Sequence, residues 1–256
     1  MKMSLAALAV LALGASASLH DRAPTTGPEL VTVSAGSWDW RPAGTWRQDG
    51  RQMDPPIQRL DATEPLQIMR YQVSRADYAT CVADGACIAA DPGPADEPQT
   101  GVSWHDATAY AAWLSDRTGQ TWRLPTDSEW QRAAAERWTD DALGGGDWTD
   151  RWLVRYDREA GFEKDPLVRP QGAWGANSHG VEDLAGNVWE WTDDCSTNGT
   201  LGPDGRPADR ADYCGARVVE GKHRAVVIDF VRDASAGGCA AGVPPDHLGF
   251  RLVRED

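Results

Sequence analysis

The fold of this chain is decided by one stretch, which reads Glu182-Asp183-Leu184-Ala185-Gly186-Asn187-Val188-Trp189-Glu190-Trp191. Its centre, Gly186-Asn187, is a pair of turn-forming residues. Asp183 and Glu190 place two carboxylates on this short loop with backbone carbonyls between them, which is the kind of oxygen donor set that Ca²⁺ binds. The stretch therefore predicts a calcium site. The alternative is an Asx turn at Asp183 with Glu190 in an ion pair.

Further blocks lie before and after this loop. Upstream, Ser103 is a predicted N-cap of a helix that Gly119 ends, and the capping box Thr126-Asp127-Ser128-Glu129 opens another helix. Downstream, the chain closes on a short apolar block. The three blocks are Val102–Ala107, Trp122–Trp130 and Leu248–Val253.

In this order and spacing the blocks resemble the formylglycine-generating enzyme family, also called the sulfatase-modifying factor domain, over roughly residues 30–256. The resemblance implies a single α+β domain with much irregular structure, related to the C-type lectin fold. The family includes copper-dependent oxidases that convert a sulfatase cysteine to formylglycine, iron-dependent sulfoxide synthases, a periplasmic pyoverdine-maturation protein and ligand-binding variable proteins. Because one scaffold hosts several chemistries, membership does not decide the function.

The residues disfavour both metal-dependent oxidations. The copper enzymes hold copper(I) through two thiolates, and in our alignment Ala225 and Phe230 stand at those positions. Copper and formylglycine generation are therefore not expected. Iron is also not expected, because the histidines are far apart in sequence and predict no cluster. They are His20, His105, His179, His223 and His247.

The resemblance assigns roles to several residues. It implies that calcium is bound by the side chain of Asp183, the carbonyls of Gly186 and Val188, and the carboxylate of Glu190. The segment that carries the family's active site makes His223, Lys222 and Arg232 candidate catalytic residues. Trp174 lies between glycines in a loop and, with Trp189 and His223, is expected to line a ligand groove; for His223 a surface or structural role is the alternative.

Two functions from different classes follow. In the first, the protein binds a peptide-like or small-molecule ligand in the family groove. In the second, it is an oxidative maturation enzyme that resembles the pyoverdine-maturation member. The formal net charge of −14 would repel phosphate backbones and anionic lipids, so nucleic acid is not an expected partner.

The N-terminal residues predict export. Met1-Lys2 is followed by an apolar run from Met3 to Leu13, too short to span a bilayer, and by Ala15-Ser16-Ala17. We expect a signal peptide at residues 1–17 and one domain at 18–256, located in a bacterial periplasm and not held by the membrane after cleavage. An uncleaved anchor is the alternative.

Export permits disulfides, and the sequence has five cysteines. Cys81 and Cys87 close a short loop at the end of a predicted helix, which favours a bridge between them. Cys195 and Cys214 are expected to form a second bridge. Cys239 is then left over, although it could instead pair with either of these two.

The remaining chain predicts few regular elements. Residues 31–40 predict an opening strand and hairpin, and residues 66–73 a second strand. Ser74 caps a helix. Beyond Trp138 the chain is rich in Gly, Asp and Trp without clear periodicity, which predicts long ordered loops.

Overall fold

The structure is a computed structural model, and it describes residues 27–140, 142–143, 147–160, 167–233 and 247–255. The predicted signal peptide and Cys239 lie outside the described residues. The described part contains helices and strands in one mixed α+β arrangement, as the resemblance implied.

The predicted helix caps are present. The side chain of Ser74 accepts a hydrogen bond from the backbone of Asp77, and Ser103 and Thr126 each form a complete capping box. Gly119 ends the second helix in the left-handed conformation, with φ 67°, which glycine adopts without strain. The helices are α1 (Arg75–Ala83), α2 (Trp104–Thr118), α3 (Asp127–Ala134), followed by a 3-10 turn (Ala135–Arg137), and α4 (Trp148–Ala160).

The strands are β1 (Leu30–Val33), β2 (Gly36–Trp40), β3 (Thr45–Gln48), β4 (Arg51–Met53), β5 (Gln58–Ala62), β6 (Leu66–Met69), β7 (Thr121–Arg123), β8 (Trp189–Leu201), β9 (Pro207–Glu220), β10 (Ala225–Ile228), β11 (Leu248–Gly249) and β12 (Val253–Glu255). They form three sheets. A four-stranded sheet has the order β1-β6-β12-β7, a larger one has the order β10-β9-β8-β3-β4 with β11 beside β8, and β2 pairs with β5. Most neighbouring pairs are antiparallel, whereas β3 and β11 each run parallel to β8.

The opening hairpin was wrongly predicted. The strands β1 and β2 do not pair with each other: β1 pairs with β6, and β2 pairs with β5. The second predicted strand also ends early, at Met69. Single-sequence patterns detect apolar alternation, but they do not show which strand a given strand will meet, because pairing is a long-range choice.

The prediction of loops beyond Trp138 was also wrong in part. This region contains α4 and the long strands β8 and β9. The outer half of β9 is exposed at every residue, and the facing half of β8 is mostly polar, so neither shows the apolar alternation that marks a half-buried strand. The Cys195–Cys214 disulfide joins the two strands across this hairpin.

Two buried clusters form the core. The larger one packs α1 and α2 against strands of both large sheets, around Tyr78, Tyr110 and Phe250. The smaller one surrounds Trp130 of α3. The predicted Cys81–Cys87 bridge is present at the end of α1. Within the described residues, no helix is long and apolar enough to cross a membrane.

Candidate functional site

The carboxylate of Glu190 is held in a buried ion pair at the start of β8. Glu190 and Arg251 both have fully buried side chains. Arg251 donates from Nε to Oε2 at 2.7 Å and from Nη2 to Oε1 at 2.8 Å. Trp130 Nε1 donates to Oε2 at 2.9 Å and Gln72 Nε2 donates to Oε1 at 2.8 Å. Each oxygen of Glu190 therefore accepts two hydrogen bonds, and the opposite charge comes from an arginine.

The carboxylate of Asp183 accepts backbone hydrogen bonds. The backbone N–H groups of Gly172 and Trp174 donate to its two oxygens at 2.6 Å and 2.8 Å. Asp183 itself has a φ of 60°, and its carbonyl accepts from Gly186 N at 3.1 Å and from Gln72 Nε2 at 3.3 Å. Asp183 thus holds residues 172–174 against the Glu182–Trp191 stretch, which is called the signature loop below.

These contacts fit the ion-pair alternative better than the four-residue calcium set. Calcium at Asp183, Gly186, Val188 and Glu190 would have to compete with N–H donors for every carboxylate oxygen of the set. Among the described residues, no three His, Cys, Asp or Glu side chains come together as a metal site. The calcium prediction from the sequence is not tested by these contacts, but they lead us to expect at most weak binding, and no step of the function proposed below depends on it.

Two of the predicted groove residues, Trp189 and Trp174, each pack against a glycine. The rings of Trp189 and His223 are close to perpendicular, with centroids 4.5 Å apart. Trp189 also lies so close to Gly221 that a Cβ added there would come within 2.5 Å of its ring. Trp174 is 38% exposed. It packs over Gly186, where an added Cβ would come within 2.9 Å of its ring. The structure therefore brings Trp189 and His223 together, while Trp174 covers the turn of the signature loop.

The candidate catalytic residues are separated. Lys222 is half-buried next to His223, whereas Arg232 donates to Asp106 Oδ1 at 2.7 Å and to the carbonyl of Ala89. Burial of Asp106 opposes ionisation, but hydrogen bonds from Arg232 and Ser103 outweigh it and lower the pKa of Asp106. Arg232 thus pairs with the first turn of α2, at a cavity of about 390 Å³.

The positions expected for the copper thiolates have unlike surroundings. Ala225 is buried as the first residue of β10, and Phe230 is 69% exposed beyond the end of that strand. The four described cysteines form the two disulfides. Ala225 also lines a second cavity of about 480 Å³, between β3, β4, β9, β10 and α4.

Sequence reasoning missed a buried carboxylate pair. Glu220 ends β9 with 1% exposure and Asp127 opens α3, also with 1% exposure. Burial first, and then the neighbouring charge of Asp127, raise the pKa of Glu220 well above its usual range, while Arg224 and Gln131 oppose the shift. The signal that could have found the pair is Glu220 itself, an acidic residue directly after the apolar pair Val218-Val219 in a strand.

A third carboxylate lies next to this pair. Asp194 accepts a hydrogen bond from the backbone N–H of Asp127. Burial raises the pKa of Asp194 to about 6, and the charges of Asp127 and Asp193 add to the shift. Asp194 is therefore half-buried against the start of α3, whereas its neighbour Asp193 is exposed.

Comparisons with known proteins agree with this fold. The chain is 30% identical over 181 residues to a formylglycine-generating enzyme of Mycobacterium tuberculosis, covering 66% of this chain and 46% of that protein. It is 32% identical over 166 residues to the inactive C-alpha-formylglycine-generating enzyme 2 of Mus musculus, covering 61% and 48%. The chain thus spans about half the length of these relatives.

A solved structure and a family profile extend the comparison. PvdO from Pseudomonas aeruginosa superimposes with a TM-score of 0.56 at 24% identity, over 90% of this chain and 95% of PvdO, which shows a shared fold. The profile of the sulfatase-modifying factor enzyme 1-like domain matches residues 16–256. The chain therefore belongs to the sulfatase-modifying factor family, in which relatives of this chain are named formylglycine-generating enzymes.

Proposed function

We propose that this chain is an exported member of the family that binds a peptide-like ligand and does not generate formylglycine. The observation that carries the proposal is the pair Ala225 and Phe230. A methyl group and an exposed ring cannot bind copper(I), which needs soft sulfur ligands. The ligand, the export and the periplasmic location are parts of this proposal.

The relatives are compatible with a binding role. The mouse relative carries the word inactive in its name, so the domain exists in a protein that lacks the oxidase activity. The two disulfides are consistent with an exported protein, because disulfides persist in oxidising compartments. The acidic net charge argues against nucleic acid and anionic membranes as partners.

The contacts around Trp189 support a ligand groove. Trp189 presents an indole beside the imidazole of His223, and Trp174 keeps over a third of its surface in contact with solvent. Flat aromatic rings next to hydrogen-bonding groups suit peptide backbones, which carry both apolar and polar faces.

The proposal is tested with mature protein purified from the periplasm. The protein, supplied with copper, is incubated with a sulfatase-type cysteine peptide, and peptide mass is followed. We expect no conversion to formylglycine and, in parallel, a change in tryptophan fluorescence as the peptide binds. Trp174→Ala should weaken this binding. Trp152→Ala is the control: it removes an exposed tryptophan elsewhere, on α4, and should leave the binding unchanged.

Two outcomes would contradict the proposal. Formylglycine formation with normal turnover would show that copper is held by other residues. Oxygen-dependent conversion of the peptide to another product would favour the oxidative maturation function instead.

A further inference from the structure

The two disulfides differ in how far solvent reaches them. Cys81 has no exposed surface and Cys87 only 8%, and both belong to the larger apolar cluster of the core. Cys214, by contrast, is exposed, and its partner Cys195 is half-buried. A disulfide is reduced only when a thiolate can approach one of its sulfurs, so exposure favours reduction. The bridge between Cys195 and Cys214 is therefore the one that a reductant meets first.

The exposed bridge lies where the ladder between β8 and β9 is interrupted. Cys195 is opposite Arg217, whereas the next residue of β8, Ser196, is opposite Tyr213. The register thus skips residues 214–216 of β9, which form a bulge. The disulfide joins the two strands at this bulge. The covalent bond therefore holds the strands together where their regular pairing is broken.

Beyond the bulge, β9 has fewer partners than β8. Residues 207–214, the outer half of β9, are all exposed, and within the described part of the chain they pair on one side only, with β8. Residues 198–200 of β8 pair on their other side with β3. The buried Trp46 of β3 also packs so closely on Gly199 that a Cβ added there would come within 2.4 Å of its ring. Loss of the disulfide would therefore free the outer half of β9 while β8 stays in place.

The residues around the bulge also form one wall of the cavity beside Ala225. Ser196 and Tyr213, which are next to the bridge on the two strands, both line this cavity of about 480 Å³. The carbonyl of Gly215, within the bulge, accepts a hydrogen bond from the backbone N–H of Asp229, just after β10, at 3.1 Å. The bridge thus holds this wall together, and a freed outer half of β9 would take Tyr213 out of it.

We propose that the Cys195–Cys214 disulfide is a redox switch. When the bridge is oxidised, the outer half of β9 is held against β8 and completes the cavity wall. When the bridge is reduced, this half-strand detaches and the cavity opens on that side. The switch concerns the shape of the cavity and not its ligand, so it does not depend on the proposed function.

The reductant that the switch requires is a dithiol. One thiolate of the dithiol attacks Sγ of Cys214, the more exposed end of the bridge, and Cys195 leaves as a thiolate that takes up a proton. The second thiol of the reductant then displaces Cys214 from the mixed disulfide. Two electrons and two protons thus pass to the protein, and the dithiol becomes a disulfide.

The first measurement is the order of reduction in the full mature protein. Free thiols are blocked with N-ethylmaleimide, dithiothreitol is added, and the thiols that appear with time are labelled with deuterated N-ethylmaleimide and located by peptide mapping. We expect Cys195 and Cys214 to be labelled at least about tenfold faster than the buried pair Cys81 and Cys87. Equal rates, or the reverse order, would overturn the proposal.

Hydrogen exchange then measures what reduction does to the fold. While only the exposed bridge is reduced, we expect amide exchange in residues 207–214 to rise at least about tenfold, and exchange in α2 and in residues 198–200 to stay the same. Reoxidation should restore the original exchange rates. Unchanged exchange in residues 207–214 would overturn the proposal. A rise throughout the chain would also overturn it, because the bridge would then hold up the whole fold.

Variants separate the effect of the bridge from that of the reductant. Cys195→Ser combined with Cys214→Ser should show the exchange pattern of the reduced protein without any dithiothreitol. Cys81→Ala combined with Cys87→Ala is the matched control: it removes the buried bridge and should leave exchange in residues 207–214 unchanged. Since the parent protein is itself measured in both redox states, the test does not depend on either variant folding.

Discussion

Glu190 and Glu220 are directly opposed residues on neighbouring strands, and their surroundings differ. They are register partners in the β8–β9 pair, and neither exposes more than 1% of its surface. Glu190 faces the guanidinium of Arg251. Glu220 instead faces Gln131 and the carboxylate of Asp127. Two identical side chains, equally buried and side by side, therefore meet an opposite charge in one case and a like charge in the other.

The difference shows that burial alone does not set the charge of a carboxyl group. A buried carboxylate is tolerated when an arginine and further N–H donors take the place of water. Without such a partner the proton is retained, which is the direction of the pKa shift at Glu220. The ion pair of Glu190 then belongs to the core, whereas Glu220, with its raised pKa, lies near Arg224, which lines the cavity beside Ala225.

The largest expected effect comes from breaking the Glu190–Arg251 pair. Glu190→Gln or Arg251→Gln should lower the free energy of unfolding by about 3–5 kcal/mol, because each leaves its partner's charge buried without compensation. Urea denaturation followed by tryptophan fluorescence measures this. Arg59→Gln is the control, since it breaks an exposed pair with Asp39 and should cost less than about 1 kcal/mol. Equally small losses of unfolding free energy in all three variants would show that the buried ion pair does not stabilise the folded protein.

The next effect comes from replacing Glu220, and it depends on pH. The folded-state pKa of Glu220 lies above the unfolded value, so the folded protein holds a proton that the unfolded chain releases. The stability associated with this proton is complete below about pH 4.5 and falls as the pH rises toward the folded-state pKa, by at most about 1.4 kcal/mol per pH unit. Glu220→Gln should therefore gain stability relative to the parent as the pH rises above about 4.5, until the pH passes the raised folded-state pKa.

Urea denaturation of both proteins at several pH values measures this difference. The titration of Asp194, whose pKa is raised to about 6, is present in both proteins and cancels to first order. A difference that is constant with pH would show that Glu220 is ionised in the folded state.

A smaller effect should come from Asp127, which is the second cause of the shift at Glu220 after burial. Asp127→Asn keeps an oxygen that can accept from Trp40 Nε1 but removes the negative charge. In this background the pH dependence contributed by Glu220→Gln should shrink without disappearing, because burial still favours the protonated form. A double-mutant cycle over pH measures the coupling. No change in slope would mean that burial alone retains the proton.

The smallest expected effect is that of calcium on the signature loop. Since N–H donors already occupy the carboxylate oxygens of Asp183 and Glu190, we expect added calcium or a chelator to leave the melting temperature nearly unchanged. A calcium ion bound at these residues would instead stabilise by about 2.7 kcal/mol at 100 times its Kd, a rise of roughly 5–10 °C. Such a rise, absent with magnesium and absent in Glu190→Gln, would establish the metal site.

Much of the local structure could be predicted from the sequence. The caps at Ser74, Ser103 and Thr126 and the stop at Gly119 depend on side chains that bond to their own backbone neighbours, so short-range patterns are sufficient. The Cys81–Cys87 bridge is equally local. The long polar hairpin of β8 and β9 was missed because each strand is stabilised by its partner and by a disulfide, not by an apolar face of its own.

By itself, the sequence determined the family, the caps of α1, α2 and α3 and the Cys81–Cys87 disulfide, and it showed that the expected thiolate positions hold Ala225 and Phe230. Only the tertiary structure decided that Glu190 meets Arg251, that Glu220 meets Asp127, and that arginines distant in sequence line one cavity. The physical reason is distance along the chain. Caps and short disulfide loops join residues a few positions apart, whereas charge pairing depends on which strands and helices become neighbours after folding.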